Sequence, residues 1–129
     1  MNTMKLNDIG LLITRVAFSA MFLTHGISKA QQLFSGEEIQ FPSVLGLGAT
    51  LSLILAVIGE VLCPILIIIG FKTRLAAIPA VITMFVAAFV IHGDDPFGKK
   101  EFALLYLFGF LAIAFLGAGR YSLDGSMNK

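Results

Sequence analysis

Charge is scarce in this sequence: 13% of its 129 residues are Asp, Glu, Lys or Arg, while 57% are hydrophobic. With 9 basic and 8 acidic side chains the formal net charge is +1, which excludes the dense basic face of a nucleic-acid binder and any broad electrostatic steering. Cysteine occurs once, at Cys63, so neither an intrachain disulfide nor a CxxC pair for metal or redox work can form, and Cys63 reads as a small apolar core residue. Also missing are a phosphate loop, a nucleophile elbow, an HExxH motif and a CxxCH motif. The usual signatures of soluble enzymes are therefore excluded.

What remains is apolar. The mean hydropathy is +0.92, well above that of a soluble domain, and indicates an integral membrane protein. Four apolar segments stand out, at about 9–27, 45–71, 75–91 and 102–116. Each is long enough to cross a hydrocarbon core of about 30 Å at 1.5 Å per residue. The expected fold is an all-α bundle of four transmembrane helices forming a single domain over residues 1–129. The N-terminal stretch faintly resembles a signal peptide around Ala17-Phe18-Ser19, but Asp8 precedes the apolar run and Arg15 interrupts it, so a retained first helix is expected.

The connections differ in character. SKAQQLFSGEEIQFPS, after the first segment, is polar and long enough for an interfacial or re-entrant piece, whereas GFKTR makes a tight hairpin with Gly70 as the helix stop. HGDDPFGKKE has the Gly, Asp and Pro of a turn. With four spans, Lys5, Arg15, Lys72, Arg74, Arg120 and Lys129 share one side, and Lys29, Lys99 and Lys100 the other. The positive-inside rule then puts both termini in the cytoplasm.

Two ionisable residues fall inside apolar segments. Counted from the cytoplasmic ends, Arg15 and Glu60 lie about 10 Å and 15 Å deep, a difference that an arginine side chain spans. An Arg15–Glu60 ion pair between the first two helices satisfies both. Such a pair either holds the helices together or serves function, the carboxylate taking a proton or a substrate group, or the arginine an anion. Pro64, four residues after Glu60, removes the donor for the Glu60 carbonyl and should kink the helix there.

A second group lies toward the opposite face of the membrane. Arg15, His25 and Lys29 fall within an arc of about 80° on the first helix. His25 and Lys29 sit near its outer end, as do His92 at the end of the third helix and Glu101 at the start of the fourth. These four either collect where helices meet water or form an outer site in which Glu101 orients a histidine, the histidine moves protons and Lys29 holds an anionic or quinone-like oxygen. Their dispersed spacing does not make a metal-ligand set, and no metal is expected. Arg74 and Arg120 read as anchors at the cytoplasmic rim.

Taken in order, RVAFSAMFLTHGISKAQQLF, GEVLCPILIIIGFKTRLAAIPAVITM, His92, Glu101 and the ending GAGRYSLD resemble the DoxX family of small four-helix bacterial membrane proteins along essentially the whole chain. The resemblance implies a multi-pass protein of the cytoplasmic (inner) membrane, with Arg15, His25, Lys29, Glu60, Arg74, His92, Glu101 and Arg120 at the family's polar positions. Some members are subunits of thiosulfate:quinone oxidoreductase, and others are linked to quinone or thiol stress. The expectation is a membrane subunit or accessory protein of a redox process. Its partners would be the lipid bilayer, a redox protein and a small-molecule ligand, and quinone is the one candidate cofactor. A small transporter for a proton, anion or metabolite, and a membrane scaffold, are the alternatives.

Overall fold

A computed structural model describes residues 2–36, 38–39 and 41–127. Lys129, counted above on the cytoplasmic side, lies outside the described residues, and among these there is no strand. The chain order is α1 (Thr3–Phe34), α2 (Ala49–Val57), a π-helical turn (Ile58–Leu62), α3 (Cys63–Ile69), α4 (Thr73–Val86), a second π-helical turn (Ala87–Ile91), α5 (Phe97–Leu116) and the short α6 (Leu123–Met127). The expected 45–71 helix is thus α2 and α3 joined through a π turn, and the 75–91 helix is α4 running into another.

Three of these stretches, Thr3–Phe34, Ala49–Ile69 and Thr73–Ile91, are long and apolar enough to cross a membrane. α5 has the length, at 20 residues. Lys99, Lys100 and Glu101 in its opening turns set it apart from the other three by composition.

The helix ends follow local chemistry. α1 begins before the expected residue 9 because the Asn2 side chain accepts from the Lys5 N–H at 2.8 Å, satisfying one of the orphan donors of the first turn. It also runs past 27, its polar end residues being compatible with a helix that emerges from the apolar layer. α3 stops at Gly70, whose φ of 75° puts it in the left-handed region that glycine reaches without a Cβ penalty. Gly70 N–H then donates to Ile67 O, and Phe71 N–H to Leu66 O, closing the hairpin.

Pro64 acts one turn upstream. It has no N–H for the Glu60 carbonyl, and the helix widens there so that Cys63 N–H donates to Ile58 O, five residues back. The kink expected from the sequence is therefore a π turn centred on Glu60.

α1 packs against this irregular helix through a stripe of buried residues, Arg15, Ser19, Phe22 and Gly26, spaced four, three and four apart. α4 packs along α5, and it brings the small side chains Ala76, Ala77 and Ala80 into the core, where they allow close approach of neighbouring helices. Between them all lies a core of Phe22, Cys63, Ile67, Met84, Phe110 and Ile113. It separates two polar clusters at opposite ends of the bundle.

Candidate functional site: a lysine–glutamate pair beneath a polar cavity

Glu60 is 1% exposed, and its carboxylate pairs with the Lys29 ammonium, not with Arg15. The register of α1 explains the correction. Gly26 faces the Glu60 backbone, with no room between them for a Cβ, so that Lys29, one turn further along α1, reaches the carboxylate. Arg15 lies 11 residues before Gly26, about 16 Å down the helix axis, and meets the far end of α3 instead.

Arg15 has its own set of acceptors. At 2% exposure it donates through Nε to Ile67 O (2.7 Å), through Nη1 to Ala118 O (2.7 Å), and through Nη2 to Tyr121 O (2.9 Å) and Ile68 O (3.2 Å). Two of these are carbonyls of the last turn of α3, which lack the i+4 donor of a continuing helix, so a cation there also complements the helix dipole. Arg15 ties α1, the α3–α4 hairpin and the chain after α5 into one end of the bundle.

Asp124 completes that end. Its carboxylate oxygens accept the Lys72 and Thr73 N–H groups, each at 2.8 Å, and so cap the start of α4 from across the chain. Partial burial pushes the Asp124 carboxyl up, but the hydrogen bonds from Thr73 and Lys72 together with the Arg15 charge hold it below the usual carboxylate range. Arg74 is exposed and lies over Gly117, with Nη2 3.5 Å from Leu116 O. Arg120 is exposed too, and its N–H donates to Asp8 Oδ1 at 3.2 Å. The ending GAGRYSLD thus packs as a latch on the hairpin.

At the opposite end, Lys29 and Glu60 line a cavity of about 450 Å³ that also takes in His25, His92, Lys99 and Tyr106, with Phe22 and Phe102 beside them. Of the four residues expected in the outer group, His25, Lys29 and His92 line this cavity, joined by Glu60, expected beside Arg15 in a separate pair; Glu101 does not line it. Its helix starts at Phe97, and on that helix Lys99, Phe102, Ala103 and Tyr106 share the cavity face while Glu101 projects about 200° away from Lys99. Glu101 is accordingly exposed.

The carboxylate that orients a histidine is Asp95. His92 Nδ1 lies 2.8 Å from Asp95 Oδ2, a bond that directs the other ring nitrogen elsewhere and holds the Asp95 carboxyl below its usual range. Their spacing of three residues within HGDDP carried the signal. His25 packs edge-on against Tyr106 with ring centroids 5.9 Å apart, and Tyr106 in turn meets Phe22 at 5.0 Å. Tyr106 and Lys99 were missed by sequence reasoning, though they recur at helical spacing on the α5 face.

A second, apolar pocket of about 210 Å³ adjoins this cavity and shares Lys29, Glu60 and Ala87 with it. The ion pair, with Glu60 buried and Lys29 half-buried, therefore stands between a polar chamber and an apolar one. Chemically the arrangement offers two ammonium groups, two imidazoles, a phenol and a carboxylate around one cavity. Among the described residues, no three His, Cys, Asp or Glu side chains gather as a metal-ligand cluster.

Comparison with known proteins places this geometry in context. The sequence model of the DoxX family matches residues 10–93, a span that holds Arg15, His25, Lys29, Glu60, Arg74 and His92. The chain is 32% identical over 120 residues to the putative oxidoreductase CatD of Bacillus subtilis, covering 91% of this chain and 86% of that protein. It is 29% identical over 129 residues to the inner membrane protein YqjF of Escherichia coli, covering 97% of each. No solved structure matches it.

Proposed function

The chain belongs to the DoxX family of membrane proteins, and from that premise we propose that it is an inner-membrane subunit or accessory protein of a redox process, binding a quinone-type ring in the cavity above Glu60. The observation that carries this reading is the composition of that cavity: proton-bearing groups (Lys29, His25, His92, Tyr106) surround a space walled by Phe22 and Phe102. A quinone ring needs hydrogen-bond donors at its carbonyl oxygens, flat apolar surface on its faces and nearby acids to supply protons as it is reduced. Electrons would come from a partner redox protein, because this sequence carries no electron-transfer motif of its own. The word oxidoreductase in the name of the Bacillus subtilis relative is consistent with such a setting.

The same reading makes α5 the fourth span, with Lys99, Lys100 and Glu101 at headgroup level and Phe102 to Leu116 in the hydrocarbon. Both termini and the Arg15 cluster then lie on the cytoplasmic side, and the cavity opens toward the other. A one-sided site is favoured over a permeation path because Phe22, Cys63, Ile67 and Phe110, buried and apolar, fill the bundle between Glu60 and Arg15.

Native mass spectrometry of the protein purified from bacterial membranes tests this. A retained quinone, or one bound on addition of a short-chain ubiquinone, is expected in the parent protein and lost in Glu60→Gln and His92→Ala, each measured on protein that remains folded at the assay temperature. A parent protein that neither retains nor binds quinone would overturn the proposal.

A further inference from the structure

Among the described residues, the apolar pocket beside the ion pair has few polar side chains to offer. Apart from Lys29 and Glu60, its polar lining side chains are Ser52 and Thr83, and both are engaged: Ser52 Oγ accepts the Val44 N–H at 2.9 Å, and Thr83 Oγ1 donates to Pro79 O at 2.8 Å. A polar group placed there would lose its water without compensation. The rest of the wall is aliphatic, including Val44, Leu47, Ala56 and Val86.

Its rim faces outward. Leu45, Leu55 and Ile82 line the pocket and are 78%, 48% and 57% exposed, which in a bilayer puts them against acyl chains. The segment 41–48 crosses one side of the pocket as a strap. It is tied down by the Val44–Ser52 bond and by the Gly48 N–H donating to Ser43 Oγ at 2.9 Å, and the Phe41 ring lies 5.8 Å from Lys29 Nζ. The pocket is thus open to lipid on one side and on the other shares the Lys29–Glu60 pair as a wall with the polar cavity.

From this juxtaposition we infer that the site takes a single-tailed amphiphile: its polar head occupies the cavity among Lys29, His92 and Tyr106, and its apolar tail passes the Lys29–Glu60 pair into the pocket under the 41–48 strap. The inference rests on the proposed head site and adds the tail, the route and the ligand class. The ligand enters from the bilayer and not from water, its tail lying beside Ala87, which with Lys29 and Glu60 lines both chambers.

The test compares a ubiquinone ring without a tail and the same ring with a decyl tail, each at equal mole fraction in the detergent micelle, with occupancy read by native mass spectrometry. The tailed compound is expected to bind about tenfold or more tightly, a gain of the size that close packing of several methylenes supplies over loose lipid contact. Ala56→Leu and Val86→Phe, which fill the pocket from two different helices, should cut that preference to within about twofold and leave the tail-less ring unaffected. Equal binding of both compounds to the parent protein would overturn the tail site while leaving the head site standing. Binding of neither would overturn both. A preference that survives in either variant, once folded, would also overturn the tail site.

Discussion

Gly26 of α1 rests directly against the backbone carbonyl of Glu60, with no space between them for a methyl group. That carbonyl is free to face another helix because Pro64 cannot donate to it and the chain has widened into a π turn. Three features spread over 39 positions, from Gly26 to Pro64, therefore combine to bring the Lys29 ammonium onto the Glu60 carboxylate.

Gly26→Ala should consequently force α1 away from the π turn, which would lower stability by about 1–3 kcal/mol, the usual cost of overpacking. Gly10 lies on the same helix with nothing within 4 Å of an added Cβ. Gly10→Ala should be neutral or stabilising by up to about 1 kcal/mol through helix propensity alone. Thermal midpoints of the two variants in the same detergent check the contrast; equal midpoints would show that the Gly26 contact is not limiting.

Arg15→Lys preserves the charge and should still fail. The guanidinium fork serves four carbonyls on two segments, and a single ammonium cannot reach them all. Each carbonyl left buried without a donor costs about 1–3 kcal/mol. The expected outcome is a large drop in thermal midpoint and in the yield of folded protein. Full stability in Arg15→Lys would mean that the charge, not the hydrogen-bond geometry, is what the site requires.

Asp124 makes the same end of the bundle sensitive to acid. Its carboxyl is held below its ordinary value, near 3.9, so its contribution to stability is present above that value and is lost as pH falls through the lower, folded one. The thermal midpoint should therefore decline below about pH 4 in the parent protein. In Asp124→Asn the midpoint should start lower by the worth of a helix cap, about 0.5–2 kcal/mol, with a flatter acid limb. Parallel limbs in the two proteins would assign the acid sensitivity elsewhere.

Much of this was legible in the sequence, and the misses share a cause. Hydropathy located all the long helices, Gly70 marked the hairpin, and Pro64 pointed to a disturbed helix at Glu60. What failed was register. Arg15 and Glu60 were paired by depth counted from segment ends, yet α1 starts at Thr3 and not at residue 9, so that count was displaced by nearly two turns. The informative signal was the Arg15, Ser19, Phe22, Gly26 stripe, since a glycine on a packed helix face marks where two backbones meet. Glu101 failed for a related reason: adjacency to a helix start says nothing of which face a side chain takes. Asp124 and the carbonyls of Ile67 and Ala118 carry no pattern of their own, because a carbonyl that accepts from Arg15 can belong to any residue type.

The Lys29–Glu60 pair separates holding the bundle together from serving what enters it, the choice that Glu60 posed from the start. Lys29→Met leaves a carboxylate buried without its counter-charge and should cost about 3–5 kcal/mol, since the lost partner cannot be replaced by water at a side chain so enclosed. Glu60→Gln strands an ammonium that is still partly solvated and should cost less. Combining the two removes both charges, and the double variant should recover about 1–3 kcal/mol relative to the sum of the singles, the coupling expected of groups in contact. If the pair is only a fastener, the double variant should also bind the ubiquinone ring as the parent does. If the pair serves the ligand, stability returns and binding does not. Thermal midpoints and ring occupancy measured on the same four proteins decide between them.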